Sequence, residues 1–322
     1  FSAQFLSTQM SADCAYAEEL YDIVPLQIIQ WVYIVTSITS IILVFYTACN
    51  YLHRTIFENV TKELIITLYI FIIIYSICLI FAQGSQLVYR YLATEKCDAQ
   101  VPKIWCIFRY IITVLTWSFV LLHIGITIQH LLSSFQYGSR IQRIAARLSI
   151  FVSFLYPLII GFLAYYKDSF EGRSAYCSGF TANSEGYLMF NLYLVLFLDI
   201  LNTIVSIFLW KFNERRLITE QSYDLALSFH RRQNLYAMQQ FLPVAALHAV
   251  FYLVFFLTVY YAQTLRSNLS PGWYLFTSVV ANVIPHFCFL CPLIFLVLIR
   301  RGRFKRVSHV HRMCNPEKNP ND

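Results

Sequence analysis

Leu64-Ile-Ile-Thr-Leu-Tyr-Ile-Phe-Ile-Ile-Ile-Tyr-Ser-Ile-Cys-Leu-Ile-Phe-Ala82 runs for 19 residues without an acidic or basic side chain. As a helix it is roughly 30 Å long, the thickness of a bilayer's hydrocarbon layer. Six more blocks of this kind follow or precede it: Ile28–Cys49, Ile104–Leu132, Leu148–Tyr166, Tyr187–Trp210, Phe241–Ala262 and Trp273–Ile299. Across all seven, only Arg109 and Asp199 carry a formal charge. Backbone polar groups left unpaired in hydrocarbon are too costly, so each block must be a helix or a strand of a closed barrel. Barrel strands are about 9–11 residues long and alternate in polarity. These blocks are longer and do not alternate. The sequence therefore predicts an all-α membrane protein with a bundle of seven transmembrane helices.

Composition agrees. The 322 residues are 58% hydrophobic and 13% charged, against about 25% charged in a soluble chain. The net charge of +7 lies beside the apolar blocks. Membrane lipids, with their anionic headgroups, or a partner protein explain it better than nucleic acid, for which no recognition motif is present. Residues 1–27 carry four acids and no Lys or Arg, unlike the basic start of a cleavable signal.

Charge also predicts orientation. The connections 50–63, 133–147, 211–240 and 300–322 hold 17 Lys and Arg residues, and the opposite set holds 6. The richer set is expected in the cytoplasm, which places the N-terminus outside. Three segments follow: an extracellular stretch at 1–27, the transmembrane domain at 28–299, and a basic cytoplasmic tail at 300–322. Phe304 and Val307 in that tail suit a short surface helix. The 211–240 connection, which contains Glu220 and Asp224, reads as extensions of its flanking helices. Arg140, Arg143 and Arg147 share one helical face.

Cys14, Cys97, Cys106 and Cys177 fall on the predicted outer side, where disulfides persist. Cys106–Cys177 is the preferred pair, tying the third helix to the loop after the fourth. Cys97–Cys177 is the rival pairing. A second bond, Cys14–Cys97, would pin the N-terminal segment across the bundle mouth.

Polar residues inside the spans mark candidate binding sites. Arg109 lies one turn below Cys106, with Thr113, Trp117 and Ser118 further down. It either meets an acidic or polar ligand group or snorkels to the headgroups. Asp199 and Asn202 share a face, and Asn191, Thr277 and Asn282 complete the candidate ligand set. His123, His248 and His286 lie at middling depth, as part of a conformational latch, a ligand site or an ordinary interhelical hydrogen-bond network. Pro157, Pro243, Pro285 and Pro292 are expected to bend their helices. No Gly-rich phosphate loop and no His-Glu-x-x-His is present, so neither an enzyme nor a metal or cofactor site is expected.

An outer Cys106–Cys177 tie over a basic inner face resembles G-protein-coupled receptors. The stretch Tyr223-Asp-Leu-Ala-Leu-Ser-Phe-His-Arg-Arg-Gln-Asn234, continuing to Pro243, resembles the nematode serpentine chemoreceptors of the Sra superfamily. Gln233-Asn234 stands here in place of that family's Glu-Asn pair. The resemblance implies a plasma-membrane chemosensory receptor in sensory cilia, with a small organic odorant or lipid-like ligand and a heterotrimeric G protein as partner. It also implies the disulfide at Cys106, and nearness to the G protein for Arg140, Arg143, Arg215, Arg231 and Arg232. A homodimer is a candidate assembly. The rhodopsin-like signatures are missing: the third helix ends Gln129-His-Leu-Leu-Ser-Ser134, and Cys291-Pro-Leu-Ile-Phe295 replaces Asn-Pro-x-x-Tyr. The alternatives are a homomeric ligand-gated channel, or a small-molecule transporter, which would often show repeated halves.

Overall fold

A computed structural model describes residues 14–52, 57–177, 184–219, 225–266 and 268–314. It contains seven spans long and apolar enough to cross a membrane. They are α1 (Val24–Asn50), α2 (Asn59–Leu92), α3 (Cys106–Ser134), α4 (Ser139–Tyr165), α5 (Glu185–Thr219), α6 (Leu225–Thr264), and a seventh made of α7 (Pro271–Val280) and α8 (Ile284–Cys314). The connection between α5 and α6 is built from helix extensions, because α5 runs on to Thr219 and α6 starts at Leu225. Glu220, Tyr223 and Asp224 lie outside the described residues, as do the side chains of Phe304 and Val307. The α8 backbone continues past Arg300 to Cys314.

Polarity is distributed for lipid. Phe162 and Phe208 are 68% and 70% exposed, whereas Ser40, His123, Asp199 and His248 are 0% exposed. Apolar side chains face outward, and polar ones meet each other between helices. α3 lies deepest, with Phe119, Val120, Leu122 and Ile126 all fully buried. α4 approaches α3 closely at Gly125, where an added Cβ would sit 2.6 Å from Ser149 Cβ. Small residues at such crossings let membrane helices pack tightly.

The seventh span differs from the expected bend. It breaks completely at residues 281–283. Pro285 lacks the amide that would bond the Ala281 carbonyl, and it disfavours a helical residue before it. The Val283 amide meets the Ala281 carbonyl instead, at 2.8 Å, and side chains from other helices reach into the break. Tyr33 on α1 donates to the carbonyls of Val279 and Asn282 at 2.8 and 2.9 Å. Thr258 on α6 reaches the Ala281 carbonyl at 3.4 Å. Pro292 removes the bond to the Cys288 carbonyl in the same way, and Ser40 donates to that oxygen at 2.7 Å. Pro157, Pro243 and Pro292 stay inside continuous helices.

One end of the bundle is stapled. Cys106 is bonded to Cys177 and Cys14 to Cys97, with Cα–Cα separations of 4.9 and 5.0 Å; the Cys97–Cys177 alternative does not form. β1 (Val101–Pro102) pairs antiparallel with β2 (Arg173–Ser174), Val101 opposite Ser174. The helical residues 14–22 cross this mouth. Arg90 Nη1 donates to the Leu20 carbonyl at 3.3 Å, and its guanidinium lies 4.8 Å from the centre of the Tyr21 ring. Lys96 meets Asp22 at 2.7 Å, and Ser270 donates to Glu19. Asp22 raises the Lys96 pKa through that hydrogen bond, but an exposed pair adds little stability.

Ser40→Ala is expected to lower stability in detergent by roughly 1 kcal/mol, the scale of a hydrogen bond inside a membrane bundle. In a Pro292→Ala background the restored amide satisfies Cys288, so the same change should cost much less. Equilibrium unfolding of the two pairs measures this coupling; equal costs in both backgrounds would refute the substitution of donors.

Candidate functional site

Below the stapled mouth, α3 carries Arg109 into the bundle. Its Nη1 is buried and has no hydrogen-bond partner among the described residues. The guanidinium lies within electrostatic reach of three phenols from three helices: Tyr33 on α1, Tyr75 on α2 and Tyr165 on α4. Tyr75 neighbours Asn282, yet its hydroxyl makes no hydrogen bond of good geometry. Asn282 is 6% exposed and sits in the break of the seventh span. A cation with an unpartnered donor and an under-satisfied phenol thus lie near a broken helix. A buried donor left without a partner costs about 1–3 kcal/mol, and more if charged. A ligand acceptor placed against Arg109 recovers that cost.

Beside this level, toward the mouth, lies a cleft of about 260 Å³ lined by Lys103, Cys106, Tyr110, Asp168, Tyr176 and Cys177, among others. Tyr110 stacks on Tyr165 at 3.9 Å, and its hydroxyl approaches Asp168 at 3.5 Å. The volume is close to the lower bound for small-molecule pockets. A second hollow, about 30 Å³, lies under the 14–22 segment between Leu20, Gln30, Gln86 and Arg90.

The other predicted ligand residues divide by depth. Thr113 donates back to the Arg109 carbonyl at 3.1 Å. Trp117 and Ser118 are buried further down, at 2% and 1% exposure. Thr277 bonds the Tyr274 carbonyl at 2.7 Å. Asn191 is occupied at the α4–α5 contact, where it accepts from Tyr156 at 3.1 Å and donates to the Tyr187 carbonyl at 2.8 Å. Asp199 is not beside Arg109. It meets His248 and His123, and His123 lies roughly 21 Å along α3 from Arg109.

From Asp199 a polar seam continues between α3, α5 and α6 to the Lys- and Arg-rich end. His248 Nδ1 stands 3.0 and 3.1 Å from the two Asp199 oxygens. Thr127 and Ser206 share a hydrogen bond of 2.9 Å. His130 Nδ1 meets Asn234 Oδ1 at 3.0 Å, and Asn234 donates to Ser134 Oγ at 3.0 Å. Asn213 donates to the same Ser134 oxygen at 2.7 Å, and Arg216 to the Ser134 carbonyl at 3.0 Å. Ser134, at the end of α3, thereby gathers α5 and α6. Arg140, Arg143, Arg215 and Arg232 are exposed around it, while Arg231 is half-buried and faces the Gln136 side-chain amide at 3.3 Å.

The sequence reading missed this junction and the phenols around Arg109. A signal existed for the junction. His123, Thr127, His130 and Ser134 recur at helical spacing on α3, and Asn234, Phe241 and His248 recur every seventh residue on α6. Nothing in the sequence marked Tyr33, Tyr75 and Tyr165 among its 23 tyrosines.

Asn234→Leu keeps the branched shape but strips three hydrogen bonds, to His130 Nδ1, the His130 carbonyl and Ser134 Oγ. It should destabilise the detergent-solubilised protein by roughly 1–2 kcal/mol, read by thermal or denaturant unfolding. Arg232→Ala, at an exposed site, should leave the transition in place; equal effects would remove Asn234 from the junction.

The family model described as "Serpentine type 7TM GPCR chemoreceptor Sra" matches residues 7–322. No curated protein matches the sequence significantly. The matched span takes in all seven transmembrane helices, both disulfides and the Asn234 junction. The chain therefore belongs to the Sra family of nematode serpentine seven-transmembrane chemoreceptors, a non-enzymatic class of G-protein-coupled receptor.

Proposed function

We propose that this receptor binds a small organic ligand bearing an acidic or strongly polar group beneath the stapled mouth, and signals to a heterotrimeric G protein at the basic end. The observation carrying this reading is the partnerless, buried Nη1 of Arg109. A guanidinium with phenols within electrostatic reach suits a carboxylate or a similar acceptor, because it offers paired N–H donors in a fixed fork. The 14–22 segment and the β1–β2 ladder restrict the opening above, which favours a compact or lipid-like molecule over a large peptide.

Sidedness follows from charge. The 17-to-6 bias of Lys and Arg assigns the basic end to the cytoplasm and the disulfide end to the exterior. Disulfide chemistry supports the same assignment independently. The N-terminus is then extracellular, and the plasma membrane of a sensory cilium is the proposed location, on the strength of family membership.

At the cytoplasmic end, Arg140, Arg143, Arg215 and Arg232 present positive charge around Ser134. In the resting arrangement His130, Asn234 and Asn213 hold α6 and α5 against α3. Coupling requires α6 to leave this junction and uncover the surface between the helices. Ligand contact with Asn282, in the broken seventh span, links the two ends: Tyr33 and Thr258 tie that break to α1 and α6.

The test is a G-protein activation assay in cells, with a panel of small organic acids and their neutral methyl esters applied outside. Arg109→Gln should raise the half-maximal concentration for an active acid by about 10- to 100-fold, the worth of a charged hydrogen bond. Esterification should cost the wild type a similar factor and the variant almost nothing. An Arg109→Gln receptor that responds to acids as the wild type does would overturn the assignment.

A further inference from the structure

The cluster that joins α3, α5 and α6 at mid-depth has a composition that hydrogen bonding alone does not explain. His123, Asp199 and His248 are each 0% exposed. One potential donor atom from each lies within 4.8 Å of the others. The His123 and His248 rings are 4.2 Å apart at 84°. His248 spends Nδ1 on Asp199, yet its Nε2 has no hydrogen-bond partner among the described residues, and neither has either nitrogen of His123. Phe241 and Phe287 pack against His123, so the polar groups facing it among the described residues are Asp199 and His248.

We infer that His123, Asp199 and His248 form a binding site for a transition-metal dication of the zinc class, tying α3, α5 and α6 together inside the membrane. Two imidazoles and one carboxylate are a donor set that zinc accepts, with a fourth position left open. Zinc takes nitrogen and oxygen ligands at about 2.0–2.2 Å, so tetrahedral donors stand about 3.4 Å apart. The donors here lie within 4.8 Å of one another, and zinc would draw them together and take the place of the His248–Asp199 hydrogen bond. An ion replaces the missing hydrogen-bond partners of His123 with a coordinate bond. It also neutralises the Asp199 carboxylate, whose burial in hydrocarbon is otherwise costly. The small remaining positive charge is cancelled if the open position carries hydroxide, which zinc-bound water supplies near neutral pH.

The same arrangement argues against calcium or magnesium, which need six or more oxygen ligands or a retained water shell. The other grouping of donor side chains, Cys14, Glu18 and Cys97, is excluded because its thiols are consumed in a disulfide. Toward the basic end a cavity of about 10 Å³ opens between Thr127, His130, Ser206, Leu209, Met238 and Phe241. It is about large enough for one water.

The experiment uses the full chain in nanodiscs, stripped with a chelator and titrated with Zn²⁺ against a fluorescent competitor. His309→Ala and His311→Ala are present throughout to remove the tail histidines. The expected result is one tight equivalent, weakened at least tenfold by Asp199→Asn and more than about 100-fold by His123→Phe or His248→Phe, since even supporting residues around a metal cost 10- to 100-fold. Bound zinc should also raise the melting temperature of the parent and not of His123→Phe. X-ray absorption on the zinc-loaded parent should report two imidazoles and no sulfur, whether or not the variants fold. Absence of a tight equivalent, unchanged affinity in folded His123→Phe, or a sulfur-ligated spectrum would each overturn the site.

Discussion

Hydrocarbon offers no hydrogen bonds, and the rest of the structure follows from that. Each backbone amide or carbonyl inside the bilayer must find a partner within the protein. Helices meet the demand along most of the chain. Prolines break it at known atoms, and the repairs can be traced: Ser40 serves the carbonyl that Pro292 strands, while Tyr33 and the Val283 amide serve the break before Pro285. α1 is thereby bound to the seventh span by two side chains two turns apart. Polar groups without such repairs then stand out as sites where a further partner belongs.

The two ends of the bundle are held by bonds of very different strength. At the mouth, two disulfides, a short ladder and an ion pair lock the segment 14–22, the α2–α3 connection and the α4–α5 loop together. At the basic end, only side-chain hydrogen bonds converge on Ser134. Membrane hydrogen bonds of this kind average about 0.6 kcal/mol. On the proposed reading, the stiff mouth keeps the binding surface formed, and the binding energy of a small ligand suffices to break a junction worth a few such bonds. The mid-depth His123–Asp199–His248 cluster lies between the two ends and joins α3, α5 and α6.

The fold was legible because it rests on one-dimensional quantities. Runs of apolar residues and the asymmetric placement of Lys and Arg need no knowledge of which helix touches which. Cysteine positions narrowed the disulfides to a few pairings, and the structure selected among them. Arg109 was legible for the same reason, as a charge inside an apolar run. Its surroundings were not, because Tyr33, Tyr75 and Tyr165 come from three helices and look like the other tyrosines. Asp199 was recognised as unusual, but its partners are His123 and His248, brought close only by packing. The seventh span was read as bent when it is broken. Proline marks a weakened helix, and whether the chain bends or separates depends on external donors such as Tyr33. Asn234 stood in plain view within the family-like stretch, yet its contact with Ser134 depends on how far α6 extends beyond the membrane.

The central claim is that the Ser134 junction holds α6 against α3 and that losing it releases α6. Spin labels at Arg143→Cys on α4, which packs along α3, and at Arg232→Cys on α6, with the exposed Cys49 and Cys314 replaced, would report that separation by pulsed electron resonance. The account predicts that Asn234→Leu moves the distance distribution to longer values. An unchanged distribution in a folded Asn234→Leu protein would contradict it.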